Sequence, residues 1–237
     1  MKIKDLLYEG KAKKVFSTEN ERYVVVEYKD DATAFNGVKK AKFEKKGEIN
    51  NKISSFIFQL LKNEGVKTHF VERLADREQL VEKVDIIPLE VVVRNVVAGS
   101  LQKRTGLTEG TVIEPAIVEF YYKNDDLGDP LLNQNHIIGL LDIITYKELN
   151  YLTKETNHVN KILSKFFESK GISLIDFKLE FGYNMDGEVV LADEVSPDTC
   201  RLWDIKTKKK LDKDVFRFEL GNLTESYTSI CERLEIK

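Results

Sequence analysis

Hydrophobic and polar positions alternate along the start of the chain, which predicts a β-rich beginning. Lys13–Thr18 and Tyr23–Tyr28 have the composition of strands, and the polar residues 19–21 between them suit a turn. Further along, Thr68–Leu74 and Ile86–Val97 are rich in β-branched and other apolar residues and are also expected to be extended. The first third of the chain is therefore expected to build a sheet.

In two segments the apolar residues recur with the period of a helix. Between Ile49 and Leu61 apolar residues recur on one helical face, and Gly65 suits the end of that helix. A second, longer helix is predicted to begin at Thr145, because Thr145 and Glu148 have the spacing of a capping box, and to end before Gly171. Each predicted helix therefore has one apolar stripe.

The last third returns to strands and closes with helical segments. Strands are predicted over Ile172–Phe181 and Glu188–Val195, with Asp186-Gly187 as the turn, and helical periodicity resumes from about residue 212. Strands and helices mix without strict alternation, which favours an α+β fold over a doubly wound sheet. We expect one catalytic unit with two approximate lobes, residues 1–86 and 87–237.

Composition narrows the class of protein. Of 237 residues, 42% are hydrophobic and 32% charged, with a net charge of −3, which argues against a dedicated nucleic-acid binder. The charge is uneven, because residues 1–52 hold 13 Lys/Arg against 9 Asp/Glu, a net of +4, and the remainder carries −7. Two cysteines without metal-site spacing, no apolar leader and no run that could span a bilayer predict a reduced, soluble, cytoplasmic protein.

The predicted hairpin near the C-terminus carries the strongest chemical signal. Asp176, Lys178 and Glu180 alternate with apolar residues and should share one face of the first strand. A two-residue Asp186-Gly187 turn would set Glu180 opposite Asp193, whereas a three-residue loop would separate them. Two facing carboxylates suit Mg²⁺, which takes one or two carboxylates together with phosphate oxygens and water. The alternative is a solvated strand face with a Lys–Glu ladder.

The N-terminal basic residues give a second signal. Lys11 and Lys13, beside Gly10, should lie on one face of an extended segment, where they could cover nucleotide phosphates or could simply protect an edge strand. The Lys39–Lys46 run has one aromatic residue and no stacking pattern, so we interpret it as a solvated basic loop.

Two central segments add possible anion and metal ligands. Arg94 lies within a run of valines, so it should be buried against either an internal carboxylate or a ligand anion. Gly99-Ser100 follows as a possible phosphate cradle. The acidic turn 123–130 is either an exposed loop or a source of Lys123 and Asp129 for a metal–phosphate site.

Taken together, these segments resemble the SAICAR synthetase family (phosphoribosylaminoimidazole-succinocarboxamide synthases). The matching stretches are YEGKAKKVF (8–16), GEINNKIS (47–54), PLEVVVRNVVAGSLQKR (88–104), KNDDLGDP (123–130), DFKLEFG (176–182) and LADEVSPDTCRLWD (191–204). The resemblance implies an ATP-grasp-like fold. It also implies ATP- and Mg²⁺-dependent condensation of carboxyaminoimidazole ribonucleotide (CAIR) with L-aspartate. Because a carboxylate is a poor acyl donor, an acyl phosphate is the hypothesis for the intermediate. A homodimer is expected by analogy, with no nucleic-acid or membrane partner.

The resemblance also implies roles for individual residues. Those expected to contact ATP are Lys11, Ala12, Lys13, Val15, Val81 and Ile87. Those expected to hold Mg²⁺ are Glu180 and Asp193. The ribonucleotide phosphate is expected at Arg94, Ser100 and Arg201. Those expected around the reacting carboxylate and metal are Lys178, Asp198 and Asp129. Asp176 and Lys123 are candidates for handling the aspartate, and Cys200 has no implied role.

Two other functions remain open from the sequence. Another ATP-dependent carboxylate ligase or phosphotransferase on an ATP-grasp-like scaffold would share the lysine pair and the metal hairpin. A non-catalytic module could instead bind nucleic acid through residues 1–52, and its affinity would then depend on salt and not on ATP.

Overall fold

The structure, a computed structural model, describes residues 2–34 and 38–236. It confirms a mixed fold of strands and helices. In chain order the elements are β1 (Ile3–Glu9), β2 (Lys13–Thr18), β3 (Tyr23–Tyr28), β4 (Asp31–Ala34), β5 (Lys39–Lys42), α1 (Lys46–Asn63), β6 (Phe70–Arg73), β7 (Glu78–Glu82), β8 (Asp85–Val96), α2 (Gly99–Thr105), β9 (Val112–Tyr122), β10 (Leu131–Leu132), α3 (Tyr146–Ser169), β11 (Ile172–Tyr183), β12 (Val189–Ala192), β13 (Cys200–Asp204), α4 (Asp214–Arg217) and α5 (Leu223–Arg233).

The strands form two larger sheets and one small hairpin. The first sheet has five strands in the order β1-β2-β3-β7-β6, and the second has six, in the order β10-β9-β8-β11-β12 with β13 paired to β11. Among the described residues, strands β4 and β5 form a separate two-stranded sheet. The first sheet ends at Glu82 and the second begins at Asp85, so residue 86, the expected lobe boundary, lies inside β8.

The helices pack on the sheets through the apolar stripes that the sequence predicts. Ile53, Ile57 and Leu61 of α1 are fully buried in one core, which also contains residues of α3, α5 and the second sheet. The capping box of α3 is confirmed, because Thr145 accepts from the Glu148 backbone and the Glu148 side chain accepts from the Thr145 backbone. Within residues 2–34 and 38–236, no helix is long and apolar enough to cross a membrane.

The hairpin between β11 and β12 has a different register from the expected one. Glu180 lies opposite Ala192, not Asp193, and Asn184 bonds to Glu188 across a three-residue loop. The Asn184 side chain accepts from the backbone N–H groups of Asp186 and Glu188, at 3.1 and 2.9 Å, which stabilises this longer loop. The prediction of a two-residue turn was therefore wrong.

Candidate active site

A cavity of about 750 Å³ opens between the segment that joins β1 to β2 and the exposed face of the second sheet. Its floor is a cross-strand ladder of β8 and β11, in which Arg94 lies opposite Asp176, Val92 opposite Lys178 and Glu90 opposite Glu180. Successive strand residues point to opposite faces, so all six of these side chains lie on the cavity side. The alternation predicted from the sequence thus places Asp176, Lys178 and Glu180 in one cavity.

Lys178 is the centre of the floor. Its Nζ lies 2.5 Å from Glu180, 2.9 Å from Glu90 and 3.9 Å from Asp193. Burial alone would lower the pKa of Lys178, but these three carboxylates outweigh burial and raise it well above its usual value. Lys178 therefore stays charged and holds three acidic groups close together.

Asp193 reaches this cluster by an unexpected route. It follows the last residue of β12 and has a left-handed backbone, with φ of 58°. Its carboxylate bonds to Lys13, which also lies 3.1 Å from Glu194. Burial acts to raise the pKa of Asp193, yet Lys13, Lys178 and Lys123 together bring it well below the usual range. Glu180 and Asp193 thus meet around Lys178 even though they are not strand partners.

Arg94 is buried on the floor and has internal partners. Its guanidinium donates to Asp176 at 2.6 Å, Glu119 at 3.0 Å, Ser100 at 3.1 Å and Tyr121 at 3.1 Å. Of the two alternatives left open by the sequence, an internal carboxylate is the one present. These four contacts fix the guanidinium plane beside Ser100.

Arg201 continues the same ion network. Its Nη1 lies 2.7 Å from the Asp176 oxygen that Arg94 also contacts, and its Nε lies 2.9 Å from Asp214. The guanidinium passes so close to Gly99, which has φ of 55°, that a Cβ there would lie 2.5 Å from Arg201. A glycine is therefore required where β8 leads into α2, and Arg94, Ser100 and Arg201 are brought together as predicted.

Asp198 also lines the cavity and has three polar neighbours. Lys46 contacts its Oδ2 at 2.6 Å, Lys213 lies 3.5 Å from the same oxygen, and Tyr227 donates to Oδ1 at 2.6 Å. Burial opposes ionisation, but Lys213 and Lys46 bring the pKa of Asp198 far below its usual value. Lys46 is only 1% exposed, so interpreting the Lys39–Lys46 run as a solvated loop was wrong at this residue.

The remaining predicted residues divide into two groups. Lining the cavity are Lys11, Ala12, Lys13, Lys123, Asp129 and Cys200. Lys11 pairs with exposed Asp125 at 2.6 Å, and Lys123 bonds to Glu180. Val15 and Val81 instead pack with the apolar cluster of the first sheet, and Ile87 lies in the main core. Among the described residues, these three do not line the cavity.

The metal prediction has a suitable but small donor set. In the part of the chain that the structure describes, no three His, Cys, Asp or Glu side chains group as metal ligands. Glu180 and Asp193 nevertheless supply carboxylate oxygens 2.5 and 3.9 Å from Lys178 Nζ, and Mg²⁺ needs only one or two protein carboxylates when phosphate and water complete its shell. The residues present therefore fit Mg²⁺ bound together with a phosphate ligand.

Sequence reasoning did not identify several residues of the site: Glu90, Lys46, Tyr121, Lys213 and Arg217. Glu90 could have been found, because it alternates with Val92 and Arg94 on one strand face. Lys46, Lys213 and Arg217 have no such local signal. Their positions depend on how α1 and α4 pack against the loop that carries Asp198.

Fold and cavity together define a mixed α and β protein whose cleft is lined with alternating cations and carboxylates, as suits phosphorylated and acidic ligands. The chain belongs to the SAICAR synthetase family, whose sequence model matches residues 6–234. A phosphoribosylaminoimidazole-succinocarboxamide synthase of Anoxybacillus flavithermus is 59% identical, covering 97% of this chain and 95% of that protein.

Solved structures agree with this membership. The synthase from Ehrlichia chaffeensis has a TM-score of 0.96 and 47% identity, covering 98% of this chain and 99% of that one. A SAICAR synthetase in complex with ADP has a TM-score of 0.93 and 51% identity, covering 98% and 97%. The family resemblance stated from the sequence motifs is confirmed.

Proposed function

We propose that this chain is an ATP-dependent ligase of purine biosynthesis. It condenses CAIR with L-aspartate to give SAICAR, ADP and phosphate. The observation that carries the proposal is the match of the SAICAR synthetase family over residues 6–234, which includes every cavity residue discussed above. The charged cleft supports it, because all three substrates are anions.

ATP would enter beside the segment 10–13. Lys11 and Lys13 carry charge suited to its phosphates, and a relative that shares 51% of its residues has been solved with ADP. Glu180 and Asp193 would hold Mg²⁺. When bound, this ion supplies neutralisation of the phosphate charge that repels an incoming carboxylate. Val15, partly buried, and Val81, buried, pack together in the first sheet and are proposed to contact ATP from that side.

The phosphate of CAIR would bind at Ser100 and Arg201, near the start of α2. Arg94 has four internal contacts and acts mainly by fixing Ser100 and Asp176. Arg201 also holds Asp176, so its guanidinium is oriented before any ligand arrives. An arginine fixed in this way binds phosphate without a further loss of side-chain freedom.

These positions support a reaction in two steps. A carboxylate is a poor acyl donor, so an oxygen of the CAIR carboxylate attacks the γ-phosphorus of ATP and ADP leaves. The α-amine of aspartate then attacks the acyl carbon, a C–N bond forms, the C–O bond to phosphate breaks, and the amine releases a proton. Lys178, held between carboxylates, places fixed positive charge beside the reacting groups. No step requires a protein nucleophile.

The expected larger architecture remains part of this proposal. An ATP-grasp-like division would let residues 1–86 cover the nucleotide while residues 87–237 hold metal and substrates. The position of the cavity between segment 10–13 and the second sheet supports this division. A homodimer is proposed by analogy with the most common oligomeric state.

An ADP-release assay that omits one substrate at a time tests the function. ADP and SAICAR should both form at the full rate only when ATP, Mg²⁺, CAIR and L-aspartate are all present. Equal ADP release without CAIR, or SAICAR that never forms with the complete mixture, would reject the proposal.

A further inference from the structure

Glu194 is a buried carboxylate of the cavity that the proposed reaction does not use. Its side chain is 4% exposed, and its Oε1 lies 3.1 Å from Lys13 Nζ. Its Oε2 accepts a hydrogen bond from the Ser196 hydroxyl at 2.5 Å. Among residues 2–34 and 38–236, Lys13 is its only ion-pair partner. Burying a carboxylate costs free energy unless a cation and hydrogen bonds compensate it, so the pair with Lys13 is the contact that explains Glu194.

Lys13 has two carboxylates around its single charge. Its ammonium group bonds to Asp193 as well as to Glu194, and it lies 5.6 Å from the centre of the Tyr28 ring. Burial acts to lower the pKa of Lys13, but Asp193 and then Glu194 raise it well above its usual value. An ammonium has three N–H donors, so two directed at carboxylates leave one for a ligand in the cavity.

The two carboxylates that hold this ammonium differ in their other contacts. Asp193 also lies 3.9 Å from Lys178, at the proposed metal site. Glu194 is instead held by Ser196, whose Oγ in turn accepts from the Asp198 backbone N–H at 3.1 Å. Asp193 is therefore placed to bind a metal ion, whereas Glu194 is fixed by the turn that follows β12.

The second carboxylate becomes important when Asp193 binds Mg²⁺. The charge of Asp193 is then shared with a dication, and that dication repels the nearby ammonium of Lys13. We infer that Glu194 is a positioning residue, which keeps Lys13 directed at the nucleotide phosphates while Asp193 is engaged by the metal. This inference rests on the proposed function.

Calorimetric titration of ADP with Glu194→Gln, with and without Mg²⁺, tests this role. Gln keeps an oxygen for the Ser196 hydrogen bond but removes the charge beside Lys13. With Mg²⁺, the Kd for ADP should rise about tenfold, as expected for one lost charge-assisted contact. Without Mg²⁺, Asp193 still pairs with Lys13, so the Kd should change less than about twofold. Glu188→Gln, which removes an exposed carboxylate at the other end of β12, should change neither value.

A double-mutant cycle with Lys13→Met distinguishes positioning from direct metal binding. If Glu194 acts through Lys13, adding Glu194→Gln to Lys13→Met should change the Kd for ADP with Mg²⁺ less than about twofold. A loss of the same size in both backgrounds would overturn the inference, because Glu194 would then act on the metal without Lys13.

Two conservative variants complete the test. Glu194→Asp, which retains the charge, should recover part of the affinity that Glu194→Gln loses, which a purely structural role would not explain. Ser196→Ala, which releases one oxygen of Glu194, should give a smaller loss that is again confined to titrations with Mg²⁺.

An unchanged Kd for ADP with Mg²⁺ in folded Glu194→Gln overturns the inference. Equal losses with and without Mg²⁺ in Glu194→Gln, or in Ser196→Ala if Glu194→Gln does not fold, overturn it as well. Failure of the unmodified protein to bind ADP would instead reject the proposed function, so the two failures are distinguishable.

Discussion

The floor of the cavity, formed by β8 and β11, and the wall at α4, formed by Lys213 and Arg217, carry the same kinds of charged side chain. They differ in how many hydrogen-bond and ion-pair partners each side chain has. On the floor, Arg94 donates to four side chains and Lys178 contacts three carboxylates. On the wall, Lys213 and Arg217 each have one carboxylate partner among the described residues. Saturated buried ions fix geometry and are costly to remove, whereas partly satisfied ions keep donors for ligands.

The largest effect on turnover is expected for Glu180→Gln, which removes a carboxylate from the floor of the cavity. Glu180 is 2% exposed, contacts Lys178 and Lys123, and is one of two proposed Mg²⁺ ligands. We expect ATP-dependent turnover to fall at least about 10²- to 10³-fold, because preorganised charge at the reacting phosphate is lost. ADP release measures this change. Glu188→Gln, in the same hairpin but on the surface, is the matched control, and near-normal turnover in Glu180→Gln would refute the metal assignment.

Replacing Lys46, the buried ion-pair partner of Asp198, should lower the free energy of unfolding. Lys46→Met leaves the buried Asp198 carboxylate without its closest cation, and breaking one partner of a buried ion pair costs about 3–5 kcal/mol of unfolding free energy. Urea denaturation followed by circular dichroism measures the loss. Lys52→Met removes a partly exposed ion pair of the same helix and should cost less than about 1 kcal/mol. Equal losses of unfolding free energy in the two variants would contradict the interpretation that Lys46 stabilises the buried Asp198 carboxylate.

Replacing Arg94 by lysine separates the role of its charge from its role in positioning Ser100 and Asp176. Arg94→Lys keeps the positive charge but has too few donors in fixed geometry to replace four contacts. We expect the KM for CAIR to rise about tenfold and the KM for ATP to stay within about twofold, since Ser100 and Asp176 lose their support. Arg104→Lys is the control, because Arg104 contacts the same Glu119 and Tyr121 without reaching Ser100 or Asp176. Equal losses for ATP and CAIR would reject this division of roles.

The smallest effect concerns Asp212, buried beneath the wall. Burial, and then the neighbouring charge of Asp214, raises the pKa of Asp212 to about 7. An unfolded aspartate releases its proton near pH 4, so between about pH 4 and 7 the folded form binds more protons and this residue makes stability fall as pH rises. Asp212→Asn should flatten that slope in urea unfolding measured at several pH values. An identical slope in the variant would exclude Asp212 as its source.

Much of the floor could be predicted from the sequence, because strand alternation is a local property. Asp176, Lys178 and Glu180 alternate with apolar residues, and the same rule applied to Glu90 would have added it. The capping box at Thr145 was equally local and is confirmed. The register of β11 and β12 was harder to predict, because Asp-Gly favours a two-residue turn but the Asn184 side chain stabilises a loop of three residues.

The wall could not be predicted, because its residues meet only through tertiary packing. Lys46 lies in a basic run that resembles a solvated loop, yet α1 buries it against Asp198. Lys213 precedes and Arg217 ends α4, a helix of four residues that is too short to give a periodic signal. Val81 packs in the apolar cluster of the first sheet, and its contact with the nucleotide stays a prediction.

The left-handed backbone at Asp193 has an evolutionary consequence. Among side chains with an acid group or its amide, Asp and Asn adopt positive φ most readily, whereas Glu gains little from local hydrogen bonding there. Asn would keep the turn but remove the charge, and Glu would keep the charge but strain the turn. A substitution at Asp193 therefore loses either the charge or the backbone geometry, and only a simultaneous change at the end of β12 would let Glu keep both.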